Sequence, residues 1–275
     1  MKPYKNFQER FRILIQKDKR FIETTLSNIF TMRLVGNKTH GDLAEIGIAE
    51  FINQYMYDFK SIHVGKDLYR AKEHEEDIVI INELNGEKFP LSLKAYGDGP
   101  LQLSTDKKSK MFSYLESFGK KIIKDKEIIT ALFNSEAFAD FSDINVLPLI
   151  YNEKEKKCNI MIFDSEKAKT QTIKILKISK GRGRTHPAYI FQNEKKDYIC
   201  EVRYGGTSAN ALQRGLWTNT KRAVSFFDSL TNGWIEYKDN LSLVKLISLA
   251  LNATYVGHEE ANKILQKDID NLKEM

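Results

Sequence analysis

The sequence predicts a mixed α/β protein in which a central mixed sheet is flanked by helices, all within a single domain over residues 1–275. Three observations predict this class. Apolar residues recur at helical spacing over residues 4–35, and the period changes to that of strands over residues 76–95. No internal repeat or Pro/Gly/Ser-rich linker divides the chain, which contains only 5 prolines. A hydrophobic content of 41% is enough for a sizeable core.

The predicted elements fall into four parts. Residues 1–40 form a helical scaffold, residues 41–165 a core, residues 166–222 further strands and loops, and residues 223–275 a helical C-terminal part. The predicted elements are two amphipathic helices over 4–35, a helix over 41–57, strands on both sides of Asn85-Gly86, a helical stretch over 108–138, strands over 145–165, two strands around a basic loop over 170–204, and helices over 221–230 and 241–274.

Composition narrows the classes of partner and compartment. The 43 Lys and Arg residues against 37 Asp and Glu residues give a net charge of +6. This mild excess is compatible with a polyanionic binding partner but does not establish one. Cys158 and Cys200 form no CxxC pair, which argues against structural zinc and against a disulfide-stapled secreted fold. The N-terminus lacks the unbroken apolar stretch of a signal peptide or membrane span. We therefore expect a soluble cytoplasmic protein without a membrane partner.

The segment around Asn85-Gly86 places an acid and a lysine on one face of a hairpin. A two-residue type I′ turn pairs residue 84 with residue 87, so that Asp77 lies opposite Lys94 and Val79 opposite Ser92. Opposed residues share a face, as do residues two apart on a strand. Asp77, Ser92 and Lys94 are thus predicted to project to the same side. Pro90 removes a ladder donor and could shift this register by one residue.

A carboxylate beside a lysine fits metal-assisted hydrolysis of a phosphodiester. The carboxylate binds a hard divalent cation, the cation stabilises the developing charge, and the lysine orients or helps deprotonate the attacking water. The alternative is an ordinary cross-strand salt bridge, worth at most about 1 kcal/mol when exposed.

Glu45 lies on the helix before this hairpin and adds a second carboxylate. At helical spacing it shares the apolar side with Ile48, Ala49 and Ile52, where an unpaired carboxylate is costly. It either completes a metal site with Asp77 or pairs with a core arginine or with the backbone.

These residues resemble the PD-(D/E)XK nuclease superfamily, whose core is a helix with a Glu followed by a hairpin carrying Asp and (D/E)-x-Lys. The matching positions are Glu45, Glu76-Asp77 and Ser92-Leu93-Lys94. Glu76 replaces the proline and Ser92 replaces the second acid, and a hydroxyl is a weaker metal ligand than a carboxylate. The resemblance implies a restriction-endonuclease-like core and a catalytic part at residues 41–165. It also implies Mg²⁺ held by Asp77 and Glu45.

A second stretch, YICEVRYGGTSANALQRGLW, is similar to the closing strand and loop of small type II restriction endonucleases that cut four-base palindromes. The matching residues are Gly205, Gly206, Ala209, Asn210, Leu212 and Gln213. Side chains of the types that contact base edges occur here, namely Arg203, Asn210, Gln213 and Arg214. This implies that residues 166–222 contact DNA, although a polar surface loop is the alternative.

Two further segments are predicted to face DNA. The stretch KILKISKGRGRTHP, with a basic loop between two strands, contributes Arg182 and Arg184 for phosphate contact, with a solvated face as the alternative. Gly97, Gly99 and Pro100 predict a turn rather than a strand in the run after the lysine, which contributes Gln102 and Lys107. This run lies against the scissile strand or is a connecting loop.

Together these features favour a type II restriction endonuclease that hydrolyses double-stranded DNA at a short specific sequence with Mg²⁺. Asp77 and Glu45 are the predicted metal ligands, Lys94 orients the nucleophile, and Ser92 substitutes for the usual acid. A two-fold symmetric site predicts a homodimer, with a monomer left open. A restriction system also implies a cognate DNA methyltransferase. The alternatives are a repair nuclease of the same fold, a non-catalytic DNA-binding protein and an interaction scaffold. The recognition sequence, the cut position and the number of metals are not predicted.

Overall fold

The computed structural model describes residues 3–35, 40–63, 77–104, 110–179, 186–204, 214–252, 263–264, 266–267 and 270–271. Helices in these ranges are α1 (Pro3–Lys17), α2 (Lys19–Val35), α3 (His40–Tyr55), α4 (Met111–Ser117), α5 (Lys126–Asn134), α6 (Ala139–Ser142), α7 (Ser165–Gln171) and α8 (Leu241–Asn252). Strands are β1 (Phe59–His63), β2 (Ile78–Asn82), β3 (Lys88–Tyr96), β4 (Pro100–Ser104), β5 (Ile122–Ile123), β6 (Val146–Asn152), β7 (Lys157–Phe163), β8 (Lys174–Ile178), β9 (Ala188–Gln192), β10 (Tyr198–Arg203), β11 (Gly215–Asn219), β12 (Phe227–Ser229) and β13 (Ile235–Glu236). No helix among the described residues is long and apolar enough to cross a membrane.

The first sheet is mixed and has the order β1-β2-β3-β6-β7-β12, with β13 also paired to β7. Strands β3 and β6 run parallel, and the other pairs are antiparallel. The chain between β3 and β6 contains α4 and α5, as a parallel connection requires a long crossover. This mixed sheet with flanking helices confirms the predicted fold class.

Helices α1, α2 and α3 and the first sheet enclose one hydrophobic core. Phe7, Phe11 and Ile15 recur every fourth residue on α1 and are at most 1% exposed, as an amphipathic helix requires. The Phe7 ring packs at 5.5 Å from the ring of Phe59 on β1 and 5.8 Å from that of Phe89 on β3. The two helices predicted over residues 4–35 are confirmed as α1 and α2.

A second sheet is entirely antiparallel, with the order β4-β11-β10-β9-β8-β5. It forms a separate core with α4 to α7, in which Phe133, Phe138 and Phe141 meet Phe191 of β9. The chain passes from β3 of the first sheet into β4 of the second through Gly97, Asp98 and Gly99.

The predicted two-residue turn at Asn85-Gly86 is wrong. Ile78 pairs with Leu91 and Ile81 with Lys88, so β2 and β3 are joined by a longer loop that Asn82 and Glu87 close through a backbone hydrogen bond of 2.8 Å. The Asn82 side chain accepts from the Leu84 N–H, and the Asn85 side chain accepts from the Glu87 N–H. These local bonds satisfy the backbone of the longer loop, in which Gly86 takes a left-handed φ of 75°.

The register therefore differs from the predicted one by two residues. A shift of two keeps every side chain on its predicted face, whereas a shift of one would reverse the faces. Pro90 pairs with Val79 in an unbroken register, so the bulge considered for this position does not occur.

Several other local predictions are wrong. The expected helix over 221–230 is a turn, a 3-10 helix at Val224–Phe226 and strand β12, because residues 227–229 pair with β7. The run after Gly99 was expected to be a turn and is strand β4. Its Pro100 is the first residue of an edge strand, a position that tolerates a missing N–H. The helical stretch over 108–138 is interrupted by β5.

Candidate catalytic and nucleic-acid-binding site

The hairpin of β2 and β3 brings Asp77, Ser92 and Lys94 together, as predicted. Asp77 precedes Ile78, which pairs with Leu91, so Asp77 lies across from Ser92 rather than from Lys94. Leu91 and Leu93 point into the first core and are at most 5% exposed. Ser92 and Lys94 alternate with them and therefore project from the opposite face, where Asp77 also lies.

Two hydrogen-bond donors and one ion-pair partner meet at the Oδ2 atom of the Asp77 carboxylate. Ser92 Oγ donates at 2.9 Å and the Leu93 N–H at 2.6 Å, while Lys94 Nζ lies at 3.8 Å. The side chains of Asp77 and Lys94 remain 19% and 27% exposed. The result is a fixed carboxylate beside an ammonium group, both open to an incoming ligand.

Lys94 also lies beside a small apolar cavity. It lines this cavity with Ala44 and Ile48 of α3, with Leu93, and with residues of β6 and β7.

Glu45 lies next to this cavity on α3. Ile48, Ala49 and Ile52 are buried, Glu45 is partly buried, and Glu50 is exposed, which confirms that Glu45 belongs to the apolar side of the helix. Its two neighbours at the cavity, Ala44 and Ile48, place this part of α3 against β3.

The donors around Asp77 fit a role as one ligand of a hard cation. Mg²⁺ is usually bound through one or two carboxylates together with substrate phosphates and water, and the two hydrogen bonds and the ion pair described for Asp77 all involve its Oδ2 atom. Within the described ranges, no group of three or more His, Cys, Asp or Glu residues could hold a metal ion by itself. Glu76 of the motif lies outside these ranges.

Tyr96 is a further member of this face that sequence analysis missed. It follows Ser92 and Lys94 at the strand period and ends β3. Burial and the negative charge of Asp77 both raise the pKa of the Tyr96 hydroxyl, so it remains a protonated hydrogen-bond donor near the carboxylate. The alternation that selected Ser92 and Lys94 would also have selected Tyr96.

The predicted DNA-contacting residues Gln102, Arg203 and Arg214 meet on the second sheet. Arg203 Nε donates to Glu201 Oε1 at 2.7 Å, and its guanidinium lies 3.8 Å from the ring centre of Trp217. The carbonyl oxygen of Arg214 accepts from Gln102 Nε2 at 3.3 Å and from Trp217 Nε1 at 2.7 Å. Three residues from distant parts of the chain thus belong to one cluster.

Glu201 and Trp217 also belong to this cluster, although the sequence analysis did not predict them as site residues. Trp217 is 5% exposed. Glu201 lies two residues before Arg203 on the same strand face, a spacing that could have indicated their ion pair. The remaining predicted site residues lie outside the described residues: Lys107, Arg182, Arg184, Asn210 and Gln213, together with Gly205, Gly206, Ala209 and Leu212 of the second resemblance.

Comparisons with protein-family models, with curated proteins and with solved structures found no match for this chain.

Proposed function

We propose that this protein is a Mg²⁺-dependent endonuclease with a restriction-endonuclease-like core that cuts double-stranded DNA at a short specific sequence. The observation that supports this most is the common face of Asp77, Ser92 and Lys94, with Lys94 Nζ 3.8 Å from the carboxylate. Ser92 and Lys94 lie on β3 and pair with the parallel strand β6, and Asp77 directly precedes β2.

In the proposed reaction a water oxygen attacks the phosphorus of one strand, and the bond from phosphorus to the 3′ oxygen breaks. The water loses a proton and the leaving oxygen gains one, which yields a 5′-phosphate and a 3′-hydroxyl. Lys94 orients the attacking water and offsets charge on the phosphate. Asp77 and Glu45 would hold the cation, which when bound supplies electrostatic stabilisation of the developing charge. Ser92 fixes the Asp77 carboxylate through its hydroxyl.

The cluster on the second sheet supports duplex DNA as the substrate. Arginine is the side chain best suited to bidentate contact with guanine or phosphate, and Gln102, Arg203 and Arg214 lie within one network. We further propose a homodimer as the active form and a cognate DNA methyltransferase as the partner that protects host DNA.

The test compares cleavage of duplex DNA by three variants. Lys94→Ala and Asp77→Asn should each lower the rate by about a hundredfold or more, the loss expected when a positioned charged group is removed from the transition state. Lys88→Ala is the matched control, because Lys88 is an exposed lysine at the other end of the same strand. It should cut like the wild type.

The variants must retain the far-UV circular dichroism spectrum of the wild type, so that lost activity is not lost structure. Equal cleavage by all four proteins, or cleavage that persists with a chelator, would contradict the proposal. Duplex binding without any cleavage would instead favour a DNA-binding protein in which Asp77 and Lys94 form only an ion pair.

A further inference from the structure

A row of side chains crosses three strands of the second sheet. Trp217 of β11 pairs with Gln102 of β4 on one side and with Glu201 of β10 on the other. All three are at most 5% exposed. Leu103 and Leu216, which alternate with row members along β4 and β11, belong to the second hydrophobic core. The row therefore lies on the face of the sheet that turns away from this core.

Trp217 joins two arginines that are separated by ten residues in the sequence. Its ring lies under the Arg203 guanidinium at 3.8 Å, and its Nε1 donates to the carbonyl oxygen of Arg214 at 2.7 Å. Glu201 accepts a hydrogen bond from the Arg203 side chain, and Gln102 donates a second hydrogen bond to the backbone carbonyl of Arg214. Because Arg203 pairs with Gly215 across β10 and β11, both arginines occupy the same end of this strand pair.

A buried ion pair and a shielded arginine are an unfavourable way to stabilise a fold if they have no other role. The ion pair of Glu201 and Arg203 has side-chain exposures of 4% and 15%, and apolar packing often stabilises a protein at least as well as such a pair. Arg214 Nε is also shielded from solvent and has no hydrogen-bond partner within the described residues. A buried donor without an acceptor is unfavourable, and an anionic ligand could satisfy it after a small rearrangement.

We propose that Trp217 is a positioning residue for DNA recognition, which orients Arg203 and Arg214 toward the base edges and phosphates of duplex DNA. A guanidinium fixed by stacking and by a carboxylate loses less conformational freedom on binding, so its contact is both stronger and more selective. This inference rests on the proposed endonuclease function and identifies how the same protein selects its sequence.

The test uses Trp217→Phe, which keeps an aromatic ring under Arg203 but removes the N–H that holds the backbone carbonyl of Arg214. Trp234→Phe is the matched control, because Trp234 is 45% exposed and contacts Lys157 instead. Cleavage by the wild type first maps the recognised sequence. Dissociation constants are then measured without Mg²⁺ for a duplex with this sequence and for a scrambled duplex. The cleavage rate at saturating DNA is measured with Mg²⁺.

Trp217→Phe should lower the ratio of the two dissociation constants by about tenfold or more, the effect of one weakened bidentate contact. Its rate at saturating DNA should change much less than this ratio, and Trp234→Phe should match the wild type in both. If Trp217→Phe does not fold, Gln102→Leu decides the question, since it removes the second donor to Arg214 and should also reduce discrimination.

Unchanged discrimination in a folded Trp217→Phe, or in Gln102→Leu where that variant is needed, would overturn the inference. A lower rate with unchanged discrimination would overturn it too, because Trp217 would then act on the chemical step. These results differ from failure of the proposed function itself, in which the wild type cuts no DNA and the basis of the inference is lost.

Discussion

Replacing Ser92 by aspartate should lower the stability of the protein when no divalent cation is present. Addition of a divalent cation should recover most of the lost stability. Ser92 lies across from Asp77 in the hairpin, and opposed residues have Cβ atoms about 4.5–5.5 Å apart. In Ser92→Asp the two carboxylates would face each other at this distance, in place of the present hydrogen bond of 2.9 Å.

The size of the effect follows from two contributions. Two like charges about 5 Å apart repel by roughly 3 kcal/mol at an effective dielectric constant near 20, and by less than 1 kcal/mol in water. Since the Asp77 side chain is 19% exposed, we expect about 1–3 kcal/mol of repulsion. Loss of the serine hydrogen bond adds about 1 kcal/mol. In the presence of a chelator, the free energy of unfolding of Ser92→Asp should therefore be about 2–4 kcal/mol lower than that of the wild type.

Mg²⁺ should reverse most of this loss if the face of Asp77 binds the cation. A ligand at about a hundred times its dissociation constant stabilises the folded state by roughly 2.7 kcal/mol. The assay is chemical denaturation of wild type, Ser92→Asp and Ser92→Asn, each with a chelator and with saturating Mg²⁺. Ser92→Asn is the control, because it removes the same hydroxyl without adding charge.

The reasoning would be refuted if Ser92→Asp and Ser92→Asn were equally stable in chelator. It would also be refuted if Mg²⁺ stabilised Ser92→Asp no more than Ser92→Asn, because the Asp77 face would then not be the place where the cation binds.

Three other predictions concern stability and use denaturant unfolding. Phe7→Ala should cost about 3–5 kcal/mol, because Phe7 is 0% exposed and its loss leaves a cavity; a cost below 1 kcal/mol would contradict the described core. Gly47→Ala should destabilise the protein despite better helix propensity, since its Cβ would meet Ile29 at 2.4 Å; a more stable variant would disprove this close contact. Burial raises the pKa of Glu116, but hydrogen bonds from Lys177 and Tyr189 outweigh it and hold this pKa below its ordinary value. Glu116→Gln should therefore be less stable than the wild type at pH 7, and the difference should shrink as the pH falls through the lowered pKa. A stability difference that does not depend on pH would refute that ion pair.

The face of the candidate site was predictable from sequence although the turn was not. Strand alternation depends only on parity, so Asp77, Ser92 and Lys94 stayed together when the register changed by two residues. The turn was mispredicted because the Asn82 and Asn85 side chains bond to backbone N–H groups within the loop. Such bonds stabilise a longer loop than the Asn-Gly pair alone indicates.

The second sheet was harder to predict because its pairings are distant in sequence. Strand β4 pairs with β11 more than 100 residues later, and neither segment has a local period that reveals its partner. Arg203 and Arg214 were predicted as DNA-contacting residues from their residue type alone. The position of Trp217 between them depends on the pairing of β10 with β11, which residue type does not reveal. Strand β1 was missed for a related reason. It is a short edge strand whose Ser61 N–H bonds to the Asn53 side chain of α3.

The most direct test of the central claim is digestion of a phage-length duplex DNA of known sequence, followed by sequencing of the fragment ends. We predict discrete fragments that require Mg²⁺ and Lys94, with 5′-phosphate ends that share one short sequence at every cut. Intact DNA, or a smear whose ends share no sequence, would contradict the assignment of a sequence-specific endonuclease.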